Sequence, residues 1–114
     1  MVRSLASRGL RDQGYQVIEA ANGSLALRIL QESPRVDLVI SDVVMPEMGG
    51  RELGRQLAQL DPSLPVLYMS GYTGEDVIQR GLLDPGSLFQ RKPFSPDELA
   101  RKVREILDAK VMAS

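Results

Sequence analysis

The feature that most constrains this chain is the alternation of short apolar runs with amphipathic helical segments. Residues 36–40 form such a run, which is apolar on both faces and is closely followed by Asp42. A short run of this kind is typical of a strand that helices cover on both sides. Further runs that predict strands occupy residues 15–20, 66–69 and 88–91. The resulting order α-β-α-β-α-β-α-β-α predicts an α/β fold with a parallel sheet.

The helical segments between these runs carry recognisable start and stop residues. Gly14 and Gly81 are stop residues for the first and fourth helices, and Asn22 is a candidate N-cap for the second. Ser95-Pro96-Asp97-Glu98 is a capping box, with a Ser N-cap, Pro at the first helical position and Glu three residues after the cap. The expected helices cover residues 1–13, 25–32, 51–60, 75–80 and 96–110.

Length and composition limit the classes of function that the chain can perform. The 114 residues fit one domain, 43% of them are apolar, and the net charge of −1 leaves no basic face for nucleic acid. Cysteine and histidine are both absent, which excludes disulfides, thiolate or imidazole metal sites and a histidine base. A catalytic metal would need oxygen ligands, so it would be a hard cation such as Mg²⁺. No apolar run approaches the ~20 residues that span a bilayer, so we expect no membrane contact and a cytoplasmic location.

Three polar residues stand at the ends of three successive predicted strands. Asp42, Ser70 and Lys92 each follow one of the apolar runs. The carboxyl ends of parallel strands lie at one edge of a sheet, so these side chains are expected to converge. A carboxylate can attack phosphorus, an ammonium group can neutralise phosphoryl oxygens, and a hydroxyl can donate a hydrogen bond to one of them. The combination predicts a site for phosphoryl transfer.

Each of the three residues also has a simpler interpretation. An aspartate after a strand is more often a turn or cap residue, Ser70-Gly71 is an ordinary turn, and a lysine before proline is usually a solvated surface residue. The joint placement on three strand ends favours a site. An enzyme domain that binds a nucleotide or phosphate ester is a further alternative. It predicts a Gly-rich phosphate loop or a second acid beside Asp42, and Asp42-Val43-Val44 provides neither.

Four segments together resemble the receiver domain of bacterial two-component response regulators. Residues 41–50 resemble the phosphoacceptor segment of that family, residues 69–72 its switch-hydroxyl segment and residues 92–94 its Lys-Pro segment. Asn22-Gly23 followed by Ala26-Leu27 resembles the turn into its second helix. The similarity covers essentially the whole chain. The stretch from residue 70 to residue 95 is also similar to receivers fused to hybrid histidine kinases.

The resemblance implies a flavodoxin-like (CheY-like), doubly wound parallel α/β sheet and a set of residue roles. Asp42 is the expected phosphoacceptor, Lys92 its phosphate partner and Ser70 the switch hydroxyl. Phe89 occupies the aromatic switch position, and Asp42 together with the main-chain carbonyl of Val44 would bind Mg²⁺.

The resemblance also implies a partner and a function. The expected partner is a sensor histidine kinase or a histidine phosphotransfer protein, whose phosphohistidine donates the phosphoryl group to Asp42. The expected function is a phosphoacceptor signalling module of a phosphorelay, which catalyses its own phosphorylation but is not an enzyme with an external product. The alternative is a receiver-like interaction module that is never phosphorylated.

The sequence departs from the family pattern at its start. Receivers open with an apolar strand that ends in two acidic residues that hold Mg²⁺, whereas Met1-Val2-Arg3 matches the start of the helix after that strand. We therefore expect residues 1–114 to form a single, N-terminally truncated receiver domain that lacks this strand, with weak or absent Mg²⁺ binding and slow phosphorylation. Unpaired buried backbone groups cost ~1–3 kcal/mol each, so an empty slot in the sheet is disfavoured. The alternatives are an early start within a longer protein, direct pairing of residues 15–20 with residues 36–41, or a strand from another copy in a homo-oligomer or strand-swapped dimer.

Overall fold

The computed structural model describes residues 10–15, 17–20, 22–32, 36–44 and 47–113. Three strands lie within them, namely β1 (Val39–Asp42), β2 (Val66–Ser70) and β3 (Leu88–Arg91). The labelled helices are α1 (Gly23–Glu32), α2 (Gly50–Leu60), α3 (Gly74–Gln79) and α4 (Pro96–Ala113). The chain divides into two compact units, one made of residues up to Glu19 and from Pro93 onward, the other of residues 20–92.

The sheet belongs to the unit of residues 20–92; it is parallel and has the order β1-β2-β3. β2 is its central strand, and Leu67 and Met69 on it are buried, as expected for an apolar strand with a neighbour on each side. The register pairs Asp42 with Met69 and Ser70 with Arg91. The carboxyl ends of all three strands therefore lie at the same edge, as the alternation of strands and helices predicted.

Two apolar clusters stabilise this unit. The first contains three buried leucines from α2 and the loop after it, Leu53, Leu57 and Leu64. The second, which we call the Tyr68 cluster, contains four buried residues from β1's end, β2, α3 and the loop after α3: Val43, Tyr68, Val77 and Leu83. Burying one such apolar side chain stabilises the fold by ~1.5–3 kcal/mol. Because the Tyr68 cluster includes the residue after Asp42, core packing also positions the end of β1.

Close packing of α2 on the sheet depends on two glycines. A Cβ atom at Gly54 would overlap the hydroxyl oxygen of Tyr68, and one at Gly50 would lie 2.7 Å from the carbonyl oxygen of Asp42. Glycine at both positions therefore lets the helix approach the strands closely. Since the first turn of α2 touches the backbone of Asp42, the helix helps to hold the end of β1 in place.

In the other unit, α4 begins at the predicted capping box. The Ser95 hydroxyl accepts a hydrogen bond from the Glu98 amide at 3.1 Å, and Glu98 Oε1 accepts one from the Ser95 amide at 3.3 Å. One side of α4 is buried, at Leu99, Val103 and Ile106. Most of the predicted first helix lies outside the described residues. Residues 10–12 are helical, and Gly14 with a φ of 91° follows them as the predicted stop residue.

The remaining predicted helices are present with small changes at their ends. α1 begins two residues earlier than predicted, α2 and α3 one residue earlier, and α4 continues to Ala113. The Asn22 side chain accepts a hydrogen bond from the Leu25 amide at 2.9 Å, so it caps α1 as expected. Gly81, with a φ of 72°, ends the α3 segment. Among the described residues, no helix combines the length and the apolar character that crossing a membrane requires.

The strand predicted at residues 15–20 is absent from the described part of that segment. Tyr15 and residues 17–20 have no regular secondary structure, and within the described residues β1 has a hydrogen-bonded neighbour only in β2. The alternative that required a strand in this segment is therefore not borne out. The physical reason is that a strand is stable only with neighbours that complete its hydrogen bonds, and local sequence preference does not replace them. Residues 36–38 likewise precede β1, which begins at Val39.

Candidate functional site

Asp42 and Lys92 form an ion pair at the edge of the sheet where the strands end. Lys92 Nζ donates a hydrogen bond to Oδ1 of Asp42 at 2.6 Å. Asp42 is the last residue of β1 and Lys92 directly follows β3, 50 positions away in the sequence. The side chains of Asp42 and Lys92 are 29% and 26% exposed, so the pair is partly shielded from water but remains accessible. A hydrogen bond between two charged groups at this length is among the stronger kinds in proteins.

The parallel register explains how residues from two non-adjacent strands meet. β2 lies between them, with Met69 opposite Asp42. The Lys92 amide donates a hydrogen bond to the Ser70 carbonyl at 2.7 Å, so the backbone of Lys92 extends the β2–β3 ladder. The long side chain of Lys92 then reaches Asp42 across the end of β2. The structure thus brings together two of the three residues that the strand ends singled out.

Ser70, the third of these residues, is the last residue of β2 and is 8% exposed. Its hydroxyl oxygen accepts a hydrogen bond from the Tyr72 amide at 3.1 Å, in the turn that leaves the strand. The hydrogen bonds within the described residues do not join this hydroxyl to Asp42. Because the oxygen acts as an acceptor toward Tyr72, its own proton remains available to a further acceptor.

The loop after β1 is held by backbone hydrogen bonds on both sides of Val43. The Val43 amide donates to the Met69 carbonyl at 3.0 Å, and the Val43 carbonyl accepts from the Gly50 amide at 2.9 Å. The side chain of Val43 is buried, whereas that of Val44 is 67% exposed. Glu47 has a φ of 69°, a left-handed conformation that costs a non-glycine residue ~1–2 kcal/mol. Val43 at the start of this loop is therefore fixed by its backbone, and Glu47 further along has a strained conformation.

The described residues offer few ligands for a metal ion. Asp42 supplies one carboxylate, and its Oδ1 is engaged by Lys92. No group of three or more acidic side chains that could hold a metal ion occurs within the part of the chain that the structure describes. Mg²⁺ requires near-octahedral oxygen coordination. Asp42 and the predicted second ligand, the carbonyl of Val44, do not make up such a site by themselves.

Phe89, the predicted aromatic switch residue, lies in β3 opposite Tyr68 of β2. It is partly buried and packs against the Tyr68 cluster. A Cβ atom at Gly74, the first residue of α3, would lie 3.4 Å from Cδ2 of the Phe89 ring. Phe89 therefore contacts both the core next to Asp42 and the start of α3.

A second ion pair, which the sequence did not predict, links α2 to the loop after α3. Arg51 Nη2 lies 2.9 Å from Asp84 Oδ1, and Arg51 Nη1 donates a hydrogen bond to the Gly81 carbonyl at 3.1 Å. Arg55 Nη2 is 3.9 Å from the same oxygen of Asp84. Burial raises the pKa of Tyr68, and the Asp84 carboxylate adds to the rise. The sequence signal for this ion pair is Asp84 before the Pro85-Gly86 turn, and such a pattern is too common to predict a partner for the acid.

The fold and the site together define a class of protein, a parallel α/β domain with an aspartate and a lysine paired at the ends of its strands. Residues 1–104 match the family model of the response regulator receiver domain. The chain therefore belongs to this family. Its members are phosphoacceptor signalling modules of two-component systems, not classical enzymes, and they generally bind Mg²⁺.

Individual relatives support the same assignment. The sensor kinase CckA of Brucella abortus (strain 2308) is 45% identical over 109 residues, which cover 94% of this chain and 11% of the kinase. The sporulation initiation phosphotransferase F of Bacillus subtilis (strain 168) is 34% identical over 110 residues, or 96% of this chain and 87% of that protein. The crystal structure of the receiver domain from the hybrid histidine kinase CckA matches with a TM-score of 0.77 at 38% identity, over 93% of this chain and 89% of that one. The similarity to hybrid-kinase receivers that residues 70–95 predicted is thus confirmed.

Proposed function

We propose that Asp42 is the residue that carries the phosphoryl group in this receiver domain. The observation that carries the proposal is the 2.6 Å contact between Asp42 Oδ1 and Lys92 Nζ at the strand ends. An ammonium group in this place can neutralise the negative oxygens of a phosphoryl group bound to the same carboxylate. The other carboxylate oxygen, Oδ2, has no hydrogen-bond partner among the described residues and is available for attack.

In the proposed reaction, a carboxylate oxygen of Asp42 forms a bond to phosphorus while the bond between phosphorus and a nitrogen of a phosphohistidine breaks. The electron pair of the broken bond stays on the donor imidazole, and the product is an aspartyl phosphate. Lys92 then exchanges its contact with the carboxylate for a phosphoryl oxygen. The Ser70 hydroxyl donates its proton to another phosphoryl oxygen.

The proposed signal is a change in the turn that follows β2. When the Ser70 hydroxyl turns to the phosphoryl group, its bond to the Tyr72 amide weakens. That turn leads directly into α3, whose N-cap residue Thr73 accepts a hydrogen bond from the Asp76 amide at 3.1 Å. Since the first residue of α3 lies against Phe89, a shift of the turn changes the space available to this ring.

The proposal includes partners and a setting. The donor is a sensor histidine kinase or a histidine phosphotransfer protein, a choice that the similarity to CckA supports. We also propose a cytoplasmic location for the domain. We further propose that residues 1–114 form one receiver domain, that this chain binds Mg²⁺ weakly, and that a second copy can complete its sheet in a homo-oligomer or strand-swapped dimer.

Labelling with phosphoramidate tests the role of Asp42. We expect intact-mass spectrometry of the 114-residue chain, incubated with phosphoramidate and Mg²⁺, to show a single phosphoryl adduct that forms slowly. Asp42→Asn should remove the adduct completely, because an amide oxygen is a much weaker nucleophile than a carboxylate. Asp37→Asn, a change of the same kind in an exposed residue just before β1, is the matched control and should label normally.

Two results would contradict the proposal. One is an adduct of undiminished yield in Asp42→Asn, and the other is the absence of any adduct in the unmodified chain with both phosphoramidate and a phosphorylated histidine phosphotransfer protein. Repeating the labelling over a range of Mg²⁺ concentrations tests the weak metal binding separately. A rate that saturates at low Mg²⁺ would show that the site binds the ion tightly after all.

A further inference from the structure

We propose that Arg51 is a positioning residue that ties the loop after α3 to the backbone at the end of β1, at Val43, the residue after Asp42. The inference rests on the proposed function of Asp42, and it identifies a device that limits how the domain responds there. Arg51 is the second residue of α2, in the helical turn that approaches β1 most closely. Its guanidinium group reaches away from this helix to the loop between α3 and β3.

The first half of the tie joins α2 to the end of β1, at the carbonyl of Val43. The Gly50 amide donates a hydrogen bond to the Val43 carbonyl at 2.9 Å, and a Cβ atom at Gly50 would lie 2.7 Å from the Asp42 carbonyl oxygen. Because residue 50 is glycine, the start of α2 can lie this close to the strand, and it cannot move away without breaking a backbone hydrogen bond. The backbone of Arg51, the next residue, is therefore also held in place.

The second half joins Arg51 to the loop. One nitrogen of its guanidinium lies 2.9 Å from the Asp84 carboxylate, and another donates to the Gly81 carbonyl at 3.1 Å. The planar fork of arginine engages two acceptors in a fixed relative orientation, which a lysine ammonium group does not do. Leu83, between these two acceptors, is buried in the Tyr68 cluster. The loop is thus held by the apolar packing of Leu83 in the core and by the polar contacts of Arg51 at the surface.

These contacts give residues 81–92 two anchors at the end of β1, one on Val43 and one on Asp42. The loop end is tied through Arg51 and α2 to the carbonyl of Val43. The strand end is tied through Lys92 to the carboxylate of Asp42. A phosphoryl group on this carboxylate takes over Lys92 and so alters only the strand-end anchor. Arg51 therefore confines the rearrangement to the residues between Asp84 and Lys92, the region that contains Phe89.

Hydrogen–deuterium exchange of the whole chain tests this arrangement without any phosphorylation. The reporters are the amides of Gly81 and Leu82, which donate to the carbonyls of Ile78 and Val77 at 3.0 and 2.9 Å. We expect Arg51→Gln to raise their exchange rates by about two- to fivefold, the range for losing a partly exposed ion pair. Lys92→Met removes the other anchor. Because both anchors hold the same segment, the double variant should exchange faster than the product of the two single effects predicts.

Arg55→Gln is the matched control, because it removes the same charge one helical turn later, 3.9 Å from Asp84, without a hydrogen bond to Gly81. It should leave the exchange rates of the two reporter amides nearly unchanged. Asp84→Asn should raise those rates by less than Arg51→Gln does, because the hydrogen bond from Arg51 to the Gly81 carbonyl remains. Asp84→Asn alters an exposed loop residue, so it serves as the test if Arg51→Gln does not fold.

The proposal is overturned if Arg55→Gln and Arg51→Gln have equal effects, since the contact would then be a general charge effect. Wild-type exchange in Asp84→Asn, or a double variant that matches the product of the single effects, would also overturn it. Because exchange needs no phosphoryl group, a failure here leaves the labelling of Asp42 untouched. A failure of labelling likewise leaves the exchange result valid.

Discussion

Two ion pairs within residues 20–92, Lys92 with Asp42 and Arg51 with Asp84, use similar charges in different ways. In the first pair, Lys92 gives a single ammonium contact to Asp42 at 2.6 Å, and both side chains are less than one third exposed. In the second, Arg51 divides its guanidinium between the Asp84 carboxylate at 2.9 Å and the Gly81 carbonyl at 3.1 Å. The side chains of Arg51 and Asp84 are 40% and 52% exposed.

The difference shows which contact is suited to change and which to stay. A lysine ammonium group is a compact charge on a flexible stem, so Lys92 can follow negative charge from a carboxylate to a phosphoryl oxygen. Arg51 is held by two acceptors in one orientation and loses both if it moves. We therefore interpret the Lys92 contact as the one that participates in chemistry and the Arg51 contact as the one that holds the surrounding loop.

The largest expected effect separates the two pairs by their influence on phosphorylation. Lys92→Met should lower the initial rate of phosphoramidate labelling at Asp42 by about 10²-fold, the usual loss when a donor to developing negative charge is removed. Arg51→Gln should change that rate by no more than about fivefold, because Arg51 does not touch the carboxylate and its ion pair is partly exposed. Intact-mass time courses of the two variants beside the unmodified chain measure both rates. Equal losses in the two variants would remove the distinction between them.

A smaller effect, on the free energy of unfolding, is expected from the packing of α2 against Tyr68 in β2. Gly54→Ala places a methyl group on the hydroxyl oxygen of Tyr68, so it should lower the free energy of unfolding by ~1–3 kcal/mol, the usual cost of overpacking. Adding Tyr68→Phe removes that oxygen and should restore part of the loss. Gly71→Ala, where a Cβ atom meets nothing within 4 Å, is the control. Urea denaturation measures the free energy of unfolding of the three variants. If Gly54→Ala left this free energy unchanged, α2 would be able to shift away from β2 without cost.

The smallest expected effect is a loss of stability at high pH, to which Tyr68 and the nearby charge of Asp84 contribute. The pKa of Tyr68 is raised above its ordinary value of 10.0, first by burial and then by Asp84. The unfolded chain therefore loses the Tyr68 proton at lower pH than the folded chain. The contribution of Tyr68 to the free energy of unfolding is therefore fully present below pH 10, and it is lost as the pH rises toward the raised pKa.

Titration of tyrosinate absorbance, as the difference between the unmodified chain and Tyr68→Phe, measures this pKa directly. Asp84→Asn should lower the pKa of Tyr68 part of the way toward its ordinary value and leave the contribution of burial. If Asp84→Asn left the titration curve unchanged, the Asp84 carboxylate would lie too far from the phenol to sense it. Unfolding free energies that do not decline above pH 10 would argue against the raised pKa itself.

Sequence reasoning located the strand ends well and their surroundings less well. β3 has the predicted bounds, and Asp42 and Lys92 meet as the predicted parallel sheet required. The prediction of a strand at residues 15–20 was wrong for the described part of that segment. Strand formation depends on a neighbouring strand, which the local sequence does not reveal. The Arg51 contact with Asp84 was missed, since each residue alone resembles an ordinary surface charge. The positive φ of Glu47 was also missed, because local preference disfavours it in a residue other than glycine.

The sequence by itself determined the class of fold, the family resemblance and the identity of the three polar residues at the strand ends. It could do so because apolar periodicity sets the strands, and parallel strands send their carboxyl ends to one edge. Only the tertiary structure decided how these residues are engaged: Lys92 with Asp42, and the Ser70 hydroxyl with the amide of Tyr72. It alone also decided that Arg51 holds the loop before β3. Such contacts depend on distances between segments that are far apart in the chain, and these are set by packing, not by any local pattern.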